Sequence, residues 1–274
     1  MLFALGVVTL LGTFYISGAP PPRALPPMPG TYQHFSEINF EYHTQSFGAI
    51  SHCDPRFAPS QPPSIEETQK TLFALMKSYA VTMSDLHAET WIAHGTLLGW
   101  HRNLMFLPWD SDIDVQMSVE TLAGLVPRNI SEYHYPVAGE DRPRVYLLDI
   151  SPHYTIASTR DVVNKIDARW IDTTNGIYTD IMAVHISPGK TEHIPFEQGV
   201  LFCKDSHAYW SDELFPLQDA SFEGISVKVP HDSDKFLAEE YGRKSLTNTR
   251  YHWHRFNKAA KVWEAEITVS GPSG

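Results

Sequence analysis

The chain has 274 residues, of which 42% are hydrophobic and 19% are charged, a composition that permits one sizeable core with flanking tails. Its formal net charge of −11 argues against nucleic-acid binding, and an anionic substrate would require a local basic patch. Two cysteines, Cys53 and Cys203, exclude a Cys-rich zinc site and a disulfide scaffold. The sequence leaves open whether these two pair in an oxidising compartment.

The N-terminal segment, residues 1–19, is apolar and carries no charged side chain. Such a segment is either a signal peptide that ends near Ala19 or a short signal anchor, unless the gene start is misassigned. Pro20 disfavours cleavage and therefore favours an anchor. The prediction is a single-pass membrane protein on the lumenal face of the ER or Golgi, secreted if the segment is cleaved. Asn129 begins a sequon compatible with a lumenal glycoprotein.

Residues 20–63 connect this segment to the main domain. Residues 20–30 are rich in proline and predict a stiff, extended spacer. The rest, residues 31–63, has no clear period and predicts an irregular arm laid on the domain. Ser64 and Glu67 then form a capping box, and apolar residues at helical spacing behind it predict a helix over residues 65–87 whose stripe faces the core.

A Gly-Thr pair follows the next predicted strand. Residues 91–93 form a short apolar run typical of a strand, and Gly95-Thr96 opens a segment that can become helical. Glycine lets the backbone approach a ligand closely, and a helix N-terminus presents free N–H groups. We therefore expect Gly95 and Thr96 to bind phosphate.

Three carboxylates recur at every second position after this segment: Asp110, Asp112 and Asp114. In a strand this spacing puts all three on one face, with Ile113 and Val115 directed into the core. Like charges on one face repel unless a cation neutralises them, and hard oxygen ligands suit Mg²⁺ or Mn²⁺. A lone D-x-D is more often a solvated turn; the preceding Gly-Thr pair makes the metal interpretation more specific.

The middle of the chain predicts further strands and a third site carboxylate. Ser118 predicts a helix cap, and Asn-Gly between two apolar runs, residues 168–171 and 177–186, predicts a β-hairpin. Asp180 lies in the second of these runs. Because a buried charge is costly without a partner, Asp180 is a candidate metal ligand; the alternative is an Asp on the exposed face of an edge strand. Strands are also predicted at residues 144–150, 153–158 and 201–204.

The last third of the chain predicts a strand pair, a helix and a basic C-terminal stretch. The helix covers residues 232–241 and ends at Gly242, a fitting C-cap. Residues 243–263 concentrate positive charge and aromatic rings. Because guanidinium matches phosphate in a bidentate way, Arg250 and Arg255 are predicted to bind donor phosphate; a solvated amphipathic helix is the alternative. The fourteen histidines are scattered and predict no zinc site.

The segment from Gly95 to Asp114 resembles the signature of the LicD/fukutin-type transferases, a branch of the polymerase-β-like nucleotidyltransferase superfamily. The resemblance extends over about residues 65–245. Ser111 replaces a family Asp, at a position expected to point away from the metal. The residues that match the signature are Gly95, Thr96, Leu97, Leu98, Gly99, Arg102, Phe106, Pro108, Trp109, Asp110, Asp112, Ile113 and Asp114.

The resemblance implies an α+β fold, with a nucleotidyltransferase-like mixed β-sheet flanked by helices over residues 64–265 and a tail at 266–274. It implies a transferase that moves a phosphate-linked group from a nucleotide-activated donor, of the CDP-alcohol or GDP-mannose class, to a glycan. Within the family, the chain most resembles fungal proteins linked to the addition of mannosylphosphate to cell-wall glycans.

The resemblance also assigns roles to the site residues. Asp112 and Asp114, supported by Asp110, would hold Mg²⁺ or Mn²⁺, and Asp180 would complete the catalytic set. Arg102 would join the residues that bind donor phosphate.

Two other functions remain open from the sequence. A D-x-D glycosyltransferase also holds Mn²⁺ beneath a nucleotide sugar, but it would release a nucleoside diphosphate instead of a monophosphate. A non-catalytic regulator of a glycan phosphotransferase would bind without transfer, although retention of all three carboxylates argues against it.

Overall fold

A computed structural model describes residues 32–41 and 50–266. The predicted N-terminal segment, the proline-rich spacer and nearly all of the predicted tail lie outside these residues. The helices are α1 (Ile65–Asp85), α2 (His94–Asn103), α3 (Val119–Leu125), α4 (Ser211–Leu214) and α5 (Ser233–Tyr241). The strands are β1 (Ile38–Glu41), β2 (Ile50–Cys53), β3 (Trp91–Ile92), β4 (Ile113–Ser118), β5 (Ser131–Tyr135), β6 (Arg144–Ile150), β7 (Ala168–Asp172), β8 (Tyr178–Ile186), β9 (Leu201–Phe202), β10 (Ala208–Tyr209), β11 (Gln218–Phe222), β12 (Ile225–Val229), β13 (Arg250–Tyr251), β14 (His254–Asn257) and β15 (Val262–Ala265).

A mixed sheet forms the centre of the molecule. Its strands lie in the order β3–β4–β8–β7–β6–β5, and the β9–β10 hairpin extends the sheet from the C-terminal end of β8. Among the described strands of this sheet, β4 and β8 are parallel and the other pairs are antiparallel. Helices flank the sheet, which confirms the expected architecture of a mixed sheet with helices packed on it.

Helix α1 covers one face of the sheet and forms much of the core. It begins at the predicted capping box: the Ser64 hydroxyl accepts from the Glu67 N–H, and the Glu67 carboxylate accepts from the Ser64 N–H. The predicted apolar stripe is buried, and the helix packs on β7, β8 and β12. Trp170 of β7, which is fully buried, donates its indole N–H to Ser78 at 3.1 Å. The hydrogen bond lets an indole sit in the core without an unsatisfied donor.

The predicted hairpin forms between β7 and β8. Gly176 adopts φ +77° in its turn, and a Cβ there would lie 2.8 Å from the Asp54 carbonyl oxygen, so both the backbone angle and the close approach require glycine. The Asp54 N–H donates to the Gly176 carbonyl at 2.8 Å, which ties the N-terminal arm to the sheet.

Two other predictions differ from the structure. The strand expected at residues 153–158 is wrong: hydrogen bonds from Tyr154 N–H to Ser151 and from Ile156 N–H to His153 close turns there instead. The basic C-terminal stretch forms a three-stranded antiparallel sheet, β13–β14–β15, and not the amphipathic helix considered as an alternative. The predicted helix at 232–241 is confirmed, with Asp232 as N-cap and Gly242 as C-cap.

The prediction of a single-pass membrane protein needs correction. Among the helices of residues 32–41 and 50–266, none combines the length and the apolar character that crossing a bilayer requires. The N-terminal segment on which that prediction depended lies outside the described residues. Cys53 and Cys203 are both buried as thiols, and burial raises the pKa of Cys203 to about 12.

Candidate active site

A cleft of about 560 Å³ opens at the N-terminal ends of β4 and β8. Its floor carries the predicted carboxylates, and one wall is the loop of residues 162–166. Residues 33–37 and 52, from the N-terminal arm, cover it and are called the roof below. Tyr251 and His252 of the C-terminal sheet close the remaining side. The cleft therefore collects residues that are far apart in the chain, from Gln33 to His252.

Asp114 and Asp180 lie side by side, because they are register partners in the parallel β4–β8 pair. Asp114 is fixed from the Gly-Thr turn: its backbone N–H donates to the Thr96 hydroxyl at 2.9 Å, and its Oδ2 accepts from the Gly95 N–H at 3.3 Å. A Cβ at Gly95 would lie 3.4 Å from Asp114 Oδ2 and 3.6 Å from Asp110 Oδ2. The carboxylates of Asp110 and Asp114 thus face the same point beside the Gly95 backbone.

Asp110 and Asp112 precede β4, which begins only at Ile113. The expected alternation along a strand therefore does not explain how all three carboxylates meet; a turn does, in which the Asp110 N–H donates to the Leu107 carbonyl at 3.0 Å. Asp110, Asp112 and Asp114 all line the cleft. Ser111, expected to point away, is buried and lines the cleft as well.

The electrostatics of the floor reflect crowded negative charge. Burial, and then repulsion from Asp112, raise the pKa values of Asp110 and Asp114 well above the ordinary value for an aspartate. Burial also raises the pKa of Asp180 to about 6, against the opposing effect of Arg169. Several buried carboxylates that repel one another are the set of hard oxygen donors that fits a divalent cation such as Mg²⁺ or Mn²⁺.

Arg169 is the buried cation that partly balances this charge. Its Nε donates to Asp180 Oδ1 at 2.8 Å, and one terminal nitrogen donates to the Ser36 carbonyl at 3.1 Å. The guanidinium also lies 3.6 Å above the Tyr178 ring centroid and 3.6 Å from the Glu37 carboxylate. Arg169 therefore links the floor of the cleft to its roof.

The roof carries a second hydrogen-bonded pair. Glu37 Oε2 accepts from the Tyr178 hydroxyl at 2.6 Å and lies 3.4 Å from His52 Nδ1. Burial works against ionisation of both groups, but the hydrogen bonds between them and to Tyr178 prevail, so the pKa of Glu37 falls to about 2 and that of His52 rises to about 9. Attraction to Asp112 and Asp180 contributes to the shift at His52. The roof thus presents a cationic imidazole to the carboxylate floor.

This pair predicts a pH dependence of stability in protein freed of metal ions by a chelator. His52 keeps in the folded state a proton that the unfolded chain loses at about 6.5. Its contribution to stability is therefore full below pH 6.5 and is lost as the pH rises to about 9. The measurement is urea unfolding at pH 6.5 and at pH 9. We expect the loss of unfolding free energy between these two pH values to be smaller in His52→Gln than in the unaltered protein, by about 1–3 kcal/mol. The exposed His134→Gln should leave it unchanged, and an unchanged decline in His52→Gln would contradict the assignment.

The three arginines predicted to bind donor phosphate lie outside the cleft. Arg102 donates to the carbonyls of Leu246 and Asn248 and packs over Phe256, so it anchors the C-terminal segment to α2. Arg250 and Arg255 are exposed register partners on β13 and β14. The basic groups that line the cleft are instead Arg169, His52, Lys165 and His252.

Sequence reasoning missed the roof and its partners. Glu37 and His52 lie in an arm without periodicity, where no local signal indicates an approach to the carboxylates. Arg169 offered a signal that was not used: it faces Asp180 across the predicted hairpin, and a pair of opposite charges on neighbouring apolar strands indicates a buried ion pair.

A histidine-rich cluster lies behind the cleft. His94, His207 and Glu240 bring one ligand atom each within 4.8 Å of one another, a grouping that could hold a metal ion. However, His94 Nδ1 lies 2.5 Å from the Glu240 carboxylate, and attraction to Glu240 raises the pKa of His94 to about 9 against the opposing effect of burial. A proton therefore competes with any metal ion at His94, which favours a buried ion pair over metal ligation.

Comparisons with known proteins agree with the signature. The family model described as "LicD/FKTN/FKRP, nucleotidyltransferase domain" matches residues 87–232, more than half of the chain. Among curated proteins, the chain is 32% identical over 120 residues to mannosyltransferase regulator 4 of Saccharomyces cerevisiae, covering 42% of this chain and 10% of the relative. It is 30% identical over 194 residues to mannosyltransferase regulator 14 of the same yeast, covering 68% of this chain and 18% of that protein. An uncharacterised Rickettsia typhi protein is 23% identical over 193 residues, covering 70% of this chain and 52% of the relative.

Proposed function

Because this chain belongs to the LicD/FKTN/FKRP family, we propose that it is a metal-dependent transferase that moves a phosphate-linked group from a nucleotide-activated donor to a glycan. One observation carries the proposal. Asp114 and Asp180 are neighbours across a parallel strand pair, and Asp110 faces the same point beside the Gly95 backbone. Carboxylates gathered in this way suit phosphoryl chemistry, in which the cations that they bind balance phosphate charge.

Asp112, Asp114 and Asp180 would hold one or two Mg²⁺ or Mn²⁺ ions, with Asp110 in support. Metal bound there would neutralise the diphosphate of the donor and the charge that grows on the leaving nucleotide. Burial and mutual repulsion raise the pKa values of Asp110 and Asp114, so protons compete with metal at these groups and metal affinity should rise with pH. Thr96 keeps Asp114 in place, and the Gly95 N–H already donates to Asp114 Oδ2, so donor phosphate would be held beside Gly95 by metal bound to the carboxylates.

The transfer step is a displacement at phosphorus. The acceptor hydroxyl oxygen forms a bond to the β-phosphorus of the donor, and the bond from that phosphorus to the bridging oxygen breaks. A nucleoside monophosphate leaves with the bridging oxygen, and the phosphate-linked group remains on the glycan. If the metal is held by Asp112 and Asp114 alone, Asp180 is the candidate base for the hydroxyl proton, because burial raises its pKa to about 6 and a base titrating near neutral pH accepts protons efficiently. Arg169 would orient Asp180.

The donor and acceptor classes follow from chemistry and from the relatives. A nucleotide-activated alcohol or sugar such as GDP-mannose or CDP-choline carries the diphosphate that the site requires. Two relatives are named mannosyltransferase regulators, which supports a mannose-containing acceptor. The chain spans less than a fifth of the length of these yeast relatives, so the activity of the whole relatives is not transferred to it. Residues 64–265 are proposed as the catalytic domain, with the roof supplied by the preceding arm.

A donor panel tests this function. The full chain is incubated with GDP-mannose, CDP-choline, CDP-ribitol or UDP-glucose, with a mannooligosaccharide acceptor and with Mg²⁺, Mn²⁺ or EDTA. Free nucleotides are separated by chromatography. We expect a nucleoside monophosphate to form from one donor class, only with metal and only with acceptor. Release of a nucleoside diphosphate would contradict the proposal and identify a glycosyltransferase.

The second candidate is a non-catalytic regulator of a glycan phosphotransferase. The word "regulator" in the names of both yeast relatives favours it. In the same panel a regulator would release no nucleotide from any donor, although calorimetry could still detect metal and nucleotide binding. That result would replace the transferase proposal with the regulator.

A further inference from the structure

The turn between β13 and β14 places a tryptophan at an exposed tip. Tyr251 pairs with His254, so the connection consists of His252 and Trp253 alone. Their φ angles are +44° and +61°, and two successive left-handed residues in a two-residue hairpin define a type I′ turn. The side chain of Trp253 is among the most exposed large hydrophobic groups of the described residues, at 63%.

This turn chemistry is unfavourable for folding. Type I′ turns prefer Asn-Gly, because glycine adopts a positive φ without steric cost, whereas bulky side chains there are strained. The indole of Trp253 is mostly exposed, so it contributes little hydrophobic stabilisation to the fold. Strain of this kind is typically retained at sites where function requires it, so the position of Trp253 calls for a ligand.

The tip is continuous with the cleft. Tyr251 and His252 line the cleft and also line a second, open depression of about 410 Å³ that contains Trp253. His252 stacks on Trp109 with ring centroids 5.7 Å apart and an angle of 20° between the ring planes. Trp109 directly precedes the carboxylates, so the stacked rings of Trp109 and His252 lie between the carboxylate floor and the turn that carries Trp253.

Polar groups border the same depression. Arg250 Nε and Glu266 Oε1 are 3.0 Å apart on its rim. An exposed ring beside charged donors and acceptors matches a pyranose, whose C–H face packs on the negative face of an aromatic ring while its hydroxyls bind the charged groups. A base could also stack on an indole. However, the cleft of about 560 Å³ already suits a nucleotide, and a polymeric acceptor must extend beyond it.

We propose that Trp253, with Arg250 and Glu266, forms an acceptor subsite that binds a pyranose of the glycan one or more units away from the reacting hydroxyl. This rests on the proposed function, because it assigns the acceptor side of that same cleft. The family match ends at residue 232, so the subsite belongs to a part of the chain outside the matched domain. Trp253 is thereby a specificity residue that does not contact the reacting atoms.

Two substitutions at the tip test the proposal on the full chain. Trp253→Gly removes the indole and suits the left-handed backbone, so the melting temperature should stay equal or rise. Affinity for a mannooligosaccharide, measured by calorimetry, should fall by about tenfold, as expected for loss of a stacked ring. Trp253→Tyr keeps a ring and should retain most of the affinity. Trp210→Ala removes another exposed tryptophan and serves as the matched control.

Nucleotide binding separates this proposal from the proposed function. Affinity for GDP with Mn²⁺ should be unchanged in Trp253→Gly, whereas Asp112→Asn should lose that affinity and keep oligosaccharide binding. In turnover assays Trp253→Gly should raise the acceptor KM and leave the donor KM unchanged. Absence of oligosaccharide binding to the unaltered protein, equal losses in Trp253→Gly and Trp210→Ala, or loss of GDP affinity in Trp253→Gly would each overturn the subsite.

Discussion

Replacing Asp112 by asparagine is expected to lower the transfer rate at least about a thousandfold while the protein stays folded. The amide keeps the size of the side chain but removes the charge that a divalent ion requires. Calorimetry with Mn²⁺ and GDP should show a parallel loss of metal affinity. The comparison variant is Asp219→Asn. The Asp219 carboxylate is exposed, pairs with Lys228 and does not line the cleft, so this variant should transfer at the normal rate.

The same substitution should not destabilise the metal-free protein. Asp112 is a source of the repulsion that raises the pKa values of Asp110 and Asp114, so removing its charge relieves that repulsion. An equal or higher melting temperature together with lost transfer would show that the carboxylate serves function at some cost in stability. Normal transfer in Asp112→Asn would end the transferase proposal.

Arg169→Met is expected to reduce the free energy of unfolding by about 3–5 kcal/mol, because it leaves the buried Asp180 carboxylate without its ion-pair partner. Glu37 loses a weaker contact with Arg169 at 3.6 Å but keeps its hydrogen bonds to Tyr178 and His52. Denaturant titration measures the effect. Arg160→Met removes an arginine whose partner Glu192 is 77% exposed, and its cost should stay below about 1 kcal/mol.

A double substitution tests whether the cause is the stranded charge. Adding Asp180→Asn to Arg169→Met should restore part of the lost stability, because the neutral amide no longer needs the guanidinium. Equal losses in Arg169→Met and Arg160→Met, or no recovery in the double variant, would show that Arg169 contributes packing only.

The sequence predicted the elements with strong local signals. The capping box located the first residue of α1, and the apolar spacing located its last residue to within two positions. The Asn-Gly turn located the hairpin that carries Asp180. Spacing alone predicted that Asp110, Asp112 and Asp114 lie together, as they do in the cleft. The reason was partly wrong, because a turn, and not strand alternation, presents Asp110 and Asp112. That Asp180 lies beside Asp114 depends on a parallel pairing between distant segments, which no local pattern encodes.

Other features could not be predicted because their causes are non-local. The roof is held by Arg169, Tyr178 and Gly176, which contact an arm far away in sequence. Arg102 was expected to bind phosphate, but backbone carbonyls of the C-terminal segment occupy its guanidinium. The sequence alone does not distinguish an arginine that binds phosphate from one that binds backbone carbonyls. The segments that pack beside the guanidinium in the folded protein determine which of these it does.

Helix α1 has a practical consequence for protein production. The family match starts at residue 87, after this helix ends, yet Leu72, Leu75 and Tyr79 are buried against the sheet. A fragment cut at the match boundary would expose that apolar sheet face and would be expected to aggregate. Expression plasmids designed from domain limits alone should therefore be extended to begin ahead of Ser64.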